Sequence, residues 1–187
     1  MRALREHLAQ RHRWLHSVAV ARTAARFARV HGLDARRASL AGLLHDYARL
    51  MPHDDVLREC EARGLGIDAF ERANPIVLHA KLGPELVRER FGIDDPAIAS
   101  AMRKHTVADP QMSALDAVVY LADALEPGRD FPERGGFAAL AERDLDAALR
   151  AVLAHTVTYL ERRGLAVAPA TLAALARPHP VQERRSA

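Results

Sequence analysis

A chain of 187 residues, 49% of them apolar, is long enough for one domain that buries roughly two-thirds of the surface its unfolded form exposes. The net charge is +3, and every basic residue except Lys81 and Lys104 is Arg. These are scattered through nearly every segment rather than gathered into a basic stripe, which excludes nucleic acid as a partner. No apolar run approaches the ~18 residues of a membrane span. The single Cys60 excludes an intrachain disulfide, and the basic start (Arg2, Arg5) lacks a signal-peptide core, so a soluble cytoplasmic protein is expected.

Most apolar segments repeat with a helical period, and the expected fold class is all-α. A short helix is expected over residues 1–11. The next runs from Arg13 to Val30, with His16, Val20, Thr23, Phe27 and Val30 on one inward face. Gly32 ends it and Asp34 caps a third, in which Leu40, Leu43, Leu44 and Tyr47 predict a buried helix carrying His45-Asp46. After a turn at Met51–Asp54 comes a helix to Ala62, broken at Gly64 and Gly66, then a short turn from Asp68. Asn74-Pro75 is a cap and first turn. Gly83-Pro84 is expected to interrupt any helix, leaving His79 in a loop or first turn before a helix over 84–91. Asp95-Pro96 opens a helix with His105 at its inward end. Ser113 and Asp116 form a capping box for the helix Ala114–Leu125, which holds Asp123. Pro127-Gly128 stops it. C-terminal helices are expected over 133–177, the long one burying Leu145, Leu149, Val152, Thr156 and Tyr159. One domain spans 1–177, with a polar, disordered tail over 178–187.

An ionised carboxylate buried without a partner costs several kcal/mol or takes up a proton. His45 and Asp46, side by side in apolar company, therefore call for a counter-charge, and a divalent metal is the strongest candidate. Other inward positions supply further ligands: His16, His79, His105 and Asp123. Taken singly, each is more often a core or capping residue, but six together are not. Two carboxylates and four imidazoles suffice for two ions, with Asp46 placed to bridge. Nitrogen and oxygen donors without thiolate suit iron, manganese or cobalt better than structural zinc. His7, His12, His31, His53, His155 and His179 are expected to be solvated.

The ordered set His16, His45-Asp46, His79, His105 and Asp123 resembles the HD-domain metal phosphohydrolase superfamily. Several blocks are similar to its YqeK-type branch, the symmetrical bis(5′-nucleosyl)-tetraphosphatases. They are Leu43–Ala48, Ala73-Asn74-Pro75 with Leu78-His79, Lys104-His105-Thr106, and the run Tyr120–Phe131. The match runs from about His16 to Tyr159. The resemblance implies a helical bundle with a dinuclear, iron-type centre that splits diadenosine tetraphosphate, and related dinucleotides, into two nucleoside diphosphates. By position, His16, His45, Asp46 and Asp123 would hold one ion, and Asp46, His79 and His105 the other.

Cleavage into two ADP requires in-line attack at the second phosphorus from one adenosine. Arg49 and Arg129 are the catalytic candidates beside Asp46, stabilising charge on the phosphates. Asn74, Lys104, Thr106 and Asp130 are further substrate contacts. The chain departs from the branch at Arg49, where Lys is usual, and at Val107-Ala108-Asp109, where Thr-Gly-Arg tends to stand. Three alternatives stay open: another HD phosphohydrolase acting on nucleotides or ppGpp-like alarmones, a di-iron oxygenase, and a non-catalytic module stabilised by metal. The chain would act on a small-molecule nucleotide, with neither nucleic acid nor membrane as partner, as a monomer or homodimer.

Overall fold

The computed structural model describes residues 11–176 and holds ten α-helices and one 3-10 turn, with no strand among the described residues. In order they are α1 (Arg11–Val30), α2 (Ala35–Leu44), α3 (His53–Ala62), α4 (Ala69–Ala73), the 3-10 turn Pro75–Val77 and α5 (Leu78–Phe91). Then come α6 (Pro96–Lys104), α7 (Ala114–Leu125), α8 (Arg134–Arg143), α9 (Leu145–Arg162) and α10 (Pro169–Leu175). The helix expected over 1–11, Arg11 apart, and the tail over 178–187 lie outside the described residues.

Helix α7 is the axis of the bundle. Its sequence is apolar almost all round, as a helix enclosed by others requires, and it packs on α1, α2, α6, α8 and α9. Phe27, Met112, Leu121, Leu125 and Leu153 form the largest core cluster around it. A second cluster joins Tyr47, Val87, Ile98, Met102 and Val119, and a third joins Val56, Cys60, Leu78 and Leu82 under α3 and α5. Among the described residues, no helix is long and apolar enough to cross a membrane.

The caps form where the sequence placed them. Asp34 accepts from the backbone N–H of Arg36 and Arg37, Asp95 from Ala97 and Ile98, and Ser113 with Asp116 closes a reciprocal box. Four expectations are corrected. The His45-Asp46 pair does not sit within a helix: α2 ends at Leu44, and the chain continues in tight turns with Tyr47 N–H donating to Leu44 O and Arg49 N–H to Asp46 O. The His45 Nδ1–H takes the Gly42 carbonyl at 2.7 Å, which offers that oxygen a donor other than the backbone.

Pro84 does not interrupt α5, so His79 stands in the first turn of the same helix that runs on through Phe91. A proline in a helix interior costs about 3 kcal/mol. Burial of Leu78, Leu82, Pro84 and Val87 offsets it. Two intended core positions face solvent, Val30 at the last turn of α1 and Tyr159 near the end of α9. The histidines expected to be solvated divide. His31 Nε2–H donates to Ala141 O and His155 stacks on Phe131, both half-buried, whereas His12, at the edge of the cleft described next, and His53 are exposed as expected; His7 and His179 lie outside the described residues.

Candidate metal centre

The cleft has a volume of about 870 Å³, and the ends of four helices meet at its floor. His45 and Asp46 enter from the turn after α2, His79 from the first turn of α5, His105 from the C-cap of α6 and Asp123 from α7; His16 projects from α1. His45, His79 and His105 are buried, His16 and Asp123 half-buried.

Three of the imidazoles are held alike. The Nδ1–H of His45, His79 and His105 donates to the carbonyl three residues earlier, of Gly42, Ile76 and Met102, at 2.7, 2.6 and 2.7 Å. Each neutral ring thereby presents Nε2 as a lone pair. The consequence is two groups of converging acceptors. In one, His16 Nε2 lies 3.3 Å from His45 Nε2 and 3.0 Å from Asp123 Oδ1, with His45 Nε2 3.8 Å from the same oxygen. In the other, Asp46 Oδ1 lies 3.1 Å from His79 Nε2 and 3.6 Å from His105 Nε2, and the two rings approach to 3.2 Å. Asp46 Oδ2 faces back toward His45 Nε2 at 3.7 Å, so one carboxylate spans both groups.

Lone pairs at such distances repel unless a cation lies among them. Donor atoms of His16, His45 and Asp123, and of His45, Asp46 and His105, fall within 4.8 Å of one another, spacing that fits a metal ion in each of these two sets, which share His45. Among the described residues, donors reach these atoms from the cleft walls. The Thr106 hydroxyl donates to His105 Nε2 at 2.8 Å, Arg13 approaches Asp46 Oδ2 at 3.5 Å, and Arg129 pairs with Asp123 Oδ1 at 2.5 Å.

Electrostatics follow. Complete burial opposes a charge on His45 and pushes its pKa down to about 4. Burial also opposes ionisation of Asp46 and Asp123. The surrounding imidazoles, His45, His105 and His79 for Asp46 and His16 and His45 for Asp123, outweigh it and hold both carboxyls well below their usual range. At neutral pH the floor of the cleft is therefore two carboxylates among imidazoles, the donor set that divalent first-row ions accept.

The walls carry guanidinium groups. Arg49 and Arg129, expected from the sequence, line the cleft, and so does Arg13, which sequence reasoning missed. Arg13 lies one helical turn before His16, and its Nε is buried without a partner; that i, i+3 spacing was the available signal. Glu126 was also missed as a functional group: it is buried, with Oε1 3.1 Å from His16 Nδ1. Thr106 lines the cleft. Three other expected contacts are placed elsewhere. Asn74 Nδ2 donates to Phe70 O, the exposed Asp130 does not line the cleft, and Lys104 turns to Asp116 and Gln111 O in a separate cavity. In the departing segment Ala108 is fully buried and Asp109 caps a turn at Gln111 N–H, so its acidic group does not enter the cleft.

Comparison with known proteins agrees with this geometry. The HD domain model matches residues 13–128, the stretch that carries all six converging side chains. A symmetrical bis(5′-nucleosyl)-tetraphosphatase of Halalkalibacterium halodurans is 34% identical over 92% of this chain and 91% of its own. One of the same name from Bacillus subtilis is 34% identical over 86% of each. A crystal structure from Clostridium acetobutylicum, described as a predicted HD superfamily hydrolase involved in NAD metabolism, superposes with a TM-score of 0.88. It shares 31% identity over 92% of this chain and 91% of that one.

Proposed function

The chain belongs to the HD-domain family, in the branch of the symmetrical bis(5′-nucleosyl)-tetraphosphatases, and from that premise we propose that its cleft hydrolyses diadenosine tetraphosphate to two ADP. The observation that carries this reading is Asp46, whose two oxygens face two separate groups of imidazoles beneath a cleft walled by Arg13, Arg49 and Arg129. His16, His45, Asp46 and Asp123 would hold one ion, and Asp46, His79 and His105 the second. Nitrogen and oxygen donors without thiolate favour iron, with manganese or cobalt as substitutes. When bound, such ions lower the pKa of water and polarise phosphoryl oxygens.

The chain's own groups do the rest. Three guanidiniums on different walls suit a run of phosphates, because each can grip two oxygens in a fork. Arg13 is held next to Asp46 and Arg129 next to Asp123, so both engage the reacting phosphates rather than the nucleosides. Arg49, on the turn three residues after Asp46, would bind further along the chain. Thr106 would donate its hydroxyl to a phosphate oxygen once His105 has a metal. Leu15 and Ile76, exposed at the rim, offer apolar contact for the bases. The single buried cysteine fits action in a reducing cytoplasm.

The test is an anaerobic assay of the purified protein on diadenosine tetraphosphate with added iron or manganese, separating ADP from AMP plus ATP. ADP alone is expected, and its formation without oxygen also removes the oxygenase alternative. AMP plus ATP would overturn the position of attack; no turnover would overturn the substrate.

A further inference from the structure

Glu126 is a buried carboxylate at the edge of the centre that belongs to neither ligand group, and its position is specific. It caps α7 three residues after Asp123. One oxygen lies 3.1 Å from His16 Nδ1, and the other accepts the Gly128 backbone N–H at 2.6 Å. Among the described residues, Glu126 is the acceptor that faces Nδ1 of His16. His45, His79 and His105 sit where a helix begins or ends and use the carbonyl three residues earlier. His16 lies inside α1, where the corresponding carbonyl, of Arg13, belongs to the helix ladder. An acceptor must come from another element, and the end of α7 supplies it.

A carboxylate only accepts, so the proton of His16 facing it is on Nδ1, and Nε2 is left to face Asp123 and His45. The same group shapes the following turn. A Cβ at position 128 would fall 2.9 and 3.0 Å from the two Glu126 oxygens, so glycine is what allows the turn to close over the carboxylate. Arg129 then reaches back, its Nε–H donating to Asp123 O at 2.9 Å.

We propose that Glu126 is a positioning residue of the metal centre, which fixes His16 as an Nε2 ligand and ties the Pro127–Arg129 turn to the same anchor. The inference rests on the dinuclear reading given above. It assigns Glu126 no contact with substrate.

Manganese binding to the full-length protein, followed by the EPR signal of free Mn²⁺, tests it. The wild type is expected to take up two ions. In Glu126→Gln the amide can present oxygen to only one of its two donors. The ion at His16, His45 and Asp123 should weaken roughly 10–100-fold, the usual effect of removing an outer-shell partner of a ligand, while the ion at Asp46, His79 and His105 keeps its affinity. Combining Glu126→Gln with His79→Ala, which disables the second group, identifies the affected ion. Gly128→Ala, which leaves the carboxylate in place chemically but crowds it, should weaken the same ion to a lesser degree, and it carries the test if Glu126→Gln does not fold. Melting of the metal-free proteins monitors the fold separately. Unchanged affinity in a folded variant, or equal weakening of both ions, overturns the proposal. A wild type that binds no ion overturns the dinuclear reading itself, a different result.

Discussion

The Nε2 atoms of His79 and His105 lie 3.2 Å apart, each ring having already committed its Nδ1–H to its own backbone. Two lone pairs so placed, over the Asp46 carboxylate, gain from a cation and lose without one. Added Mn²⁺ should therefore raise the melting temperature, with a stabilisation of about 2.7 kcal/mol at a hundredfold excess over Kd. Asp46→Ala removes the carboxylate whose two oxygens face the two groups. Scanning fluorimetry should show no metal-induced shift for it, and turnover should drop to background. Retained turnover would sink the assignment.

Arg129 lies against Asp123 through both its side-chain oxygen and its carbonyl, on an exposed turn. Its charge is poised at the mouth of the cleft rather than spent in the core. Arg129→Ala should lower kcat/KM on diadenosine tetraphosphate roughly 10²-fold, the scale of losing one charge-stabilising donor, with both ions still bound. Arg129→Lys should recover only part, because an ammonium lacks the fork. Steady-state kinetics beside metal analysis separate this outcome from damage to the centre.

Gly42 marks the closest approach of α2 to α1: a Cβ there would lie 3.2 Å from the backbone N and Cα of Ala21 and from Val20 Cγ1. Backbone atoms of a packed helix give way poorly. Gly42→Val should cost roughly 1–3 kcal/mol by overpacking. It should also reduce metal affinity, since α1 carries His16 and the Gly42 carbonyl holds His45. Urea denaturation with and without EDTA measures both effects. A variant as stable as the wild type would refute the tight-contact argument.

Burial pushes the Cys60 thiol up to about 11. Its folded pKa lies above the unfolded one, so the associated stability is present below about pH 8.5 and is lost as pH rises toward 11. The alkaline loss of stability should be shallower in Cys60→Ala than in the wild type. Cys60 should also resist a thiol reagent at pH 8 until the protein unfolds. Rapid labelling of the native protein would show that the third core cluster opens easily.

The helices were legible where local chemistry sets them. Asp34, Asp95 and Ser113 cap helices because their side chains reach backbone N–H groups only a few residues away. The six converging side chains were legible because polar groups on apolar stripes need partners. What escaped the sequence depends on distant contacts. Pro84 looks like a break until the burial of its neighbours is known. Lys104 looked like a phosphate contact beside His105, yet its ammonium reaches Asp116, twelve residues away. Glu126 acts across a separation of 110 residues, which no local pattern encodes.

Three of the converging imidazoles take their orientation from the carbonyl three residues behind them, so their aim is a property of helix ends. Such a site is complete when the helices are, before any metal arrives. Metal-free and loaded forms should superpose closely at His45, His79 and His105, and the rate of loading should be governed by how readily an ion sheds water. For a cell, that means a folded, waiting protein that a metal ion can bring into service without its being remade.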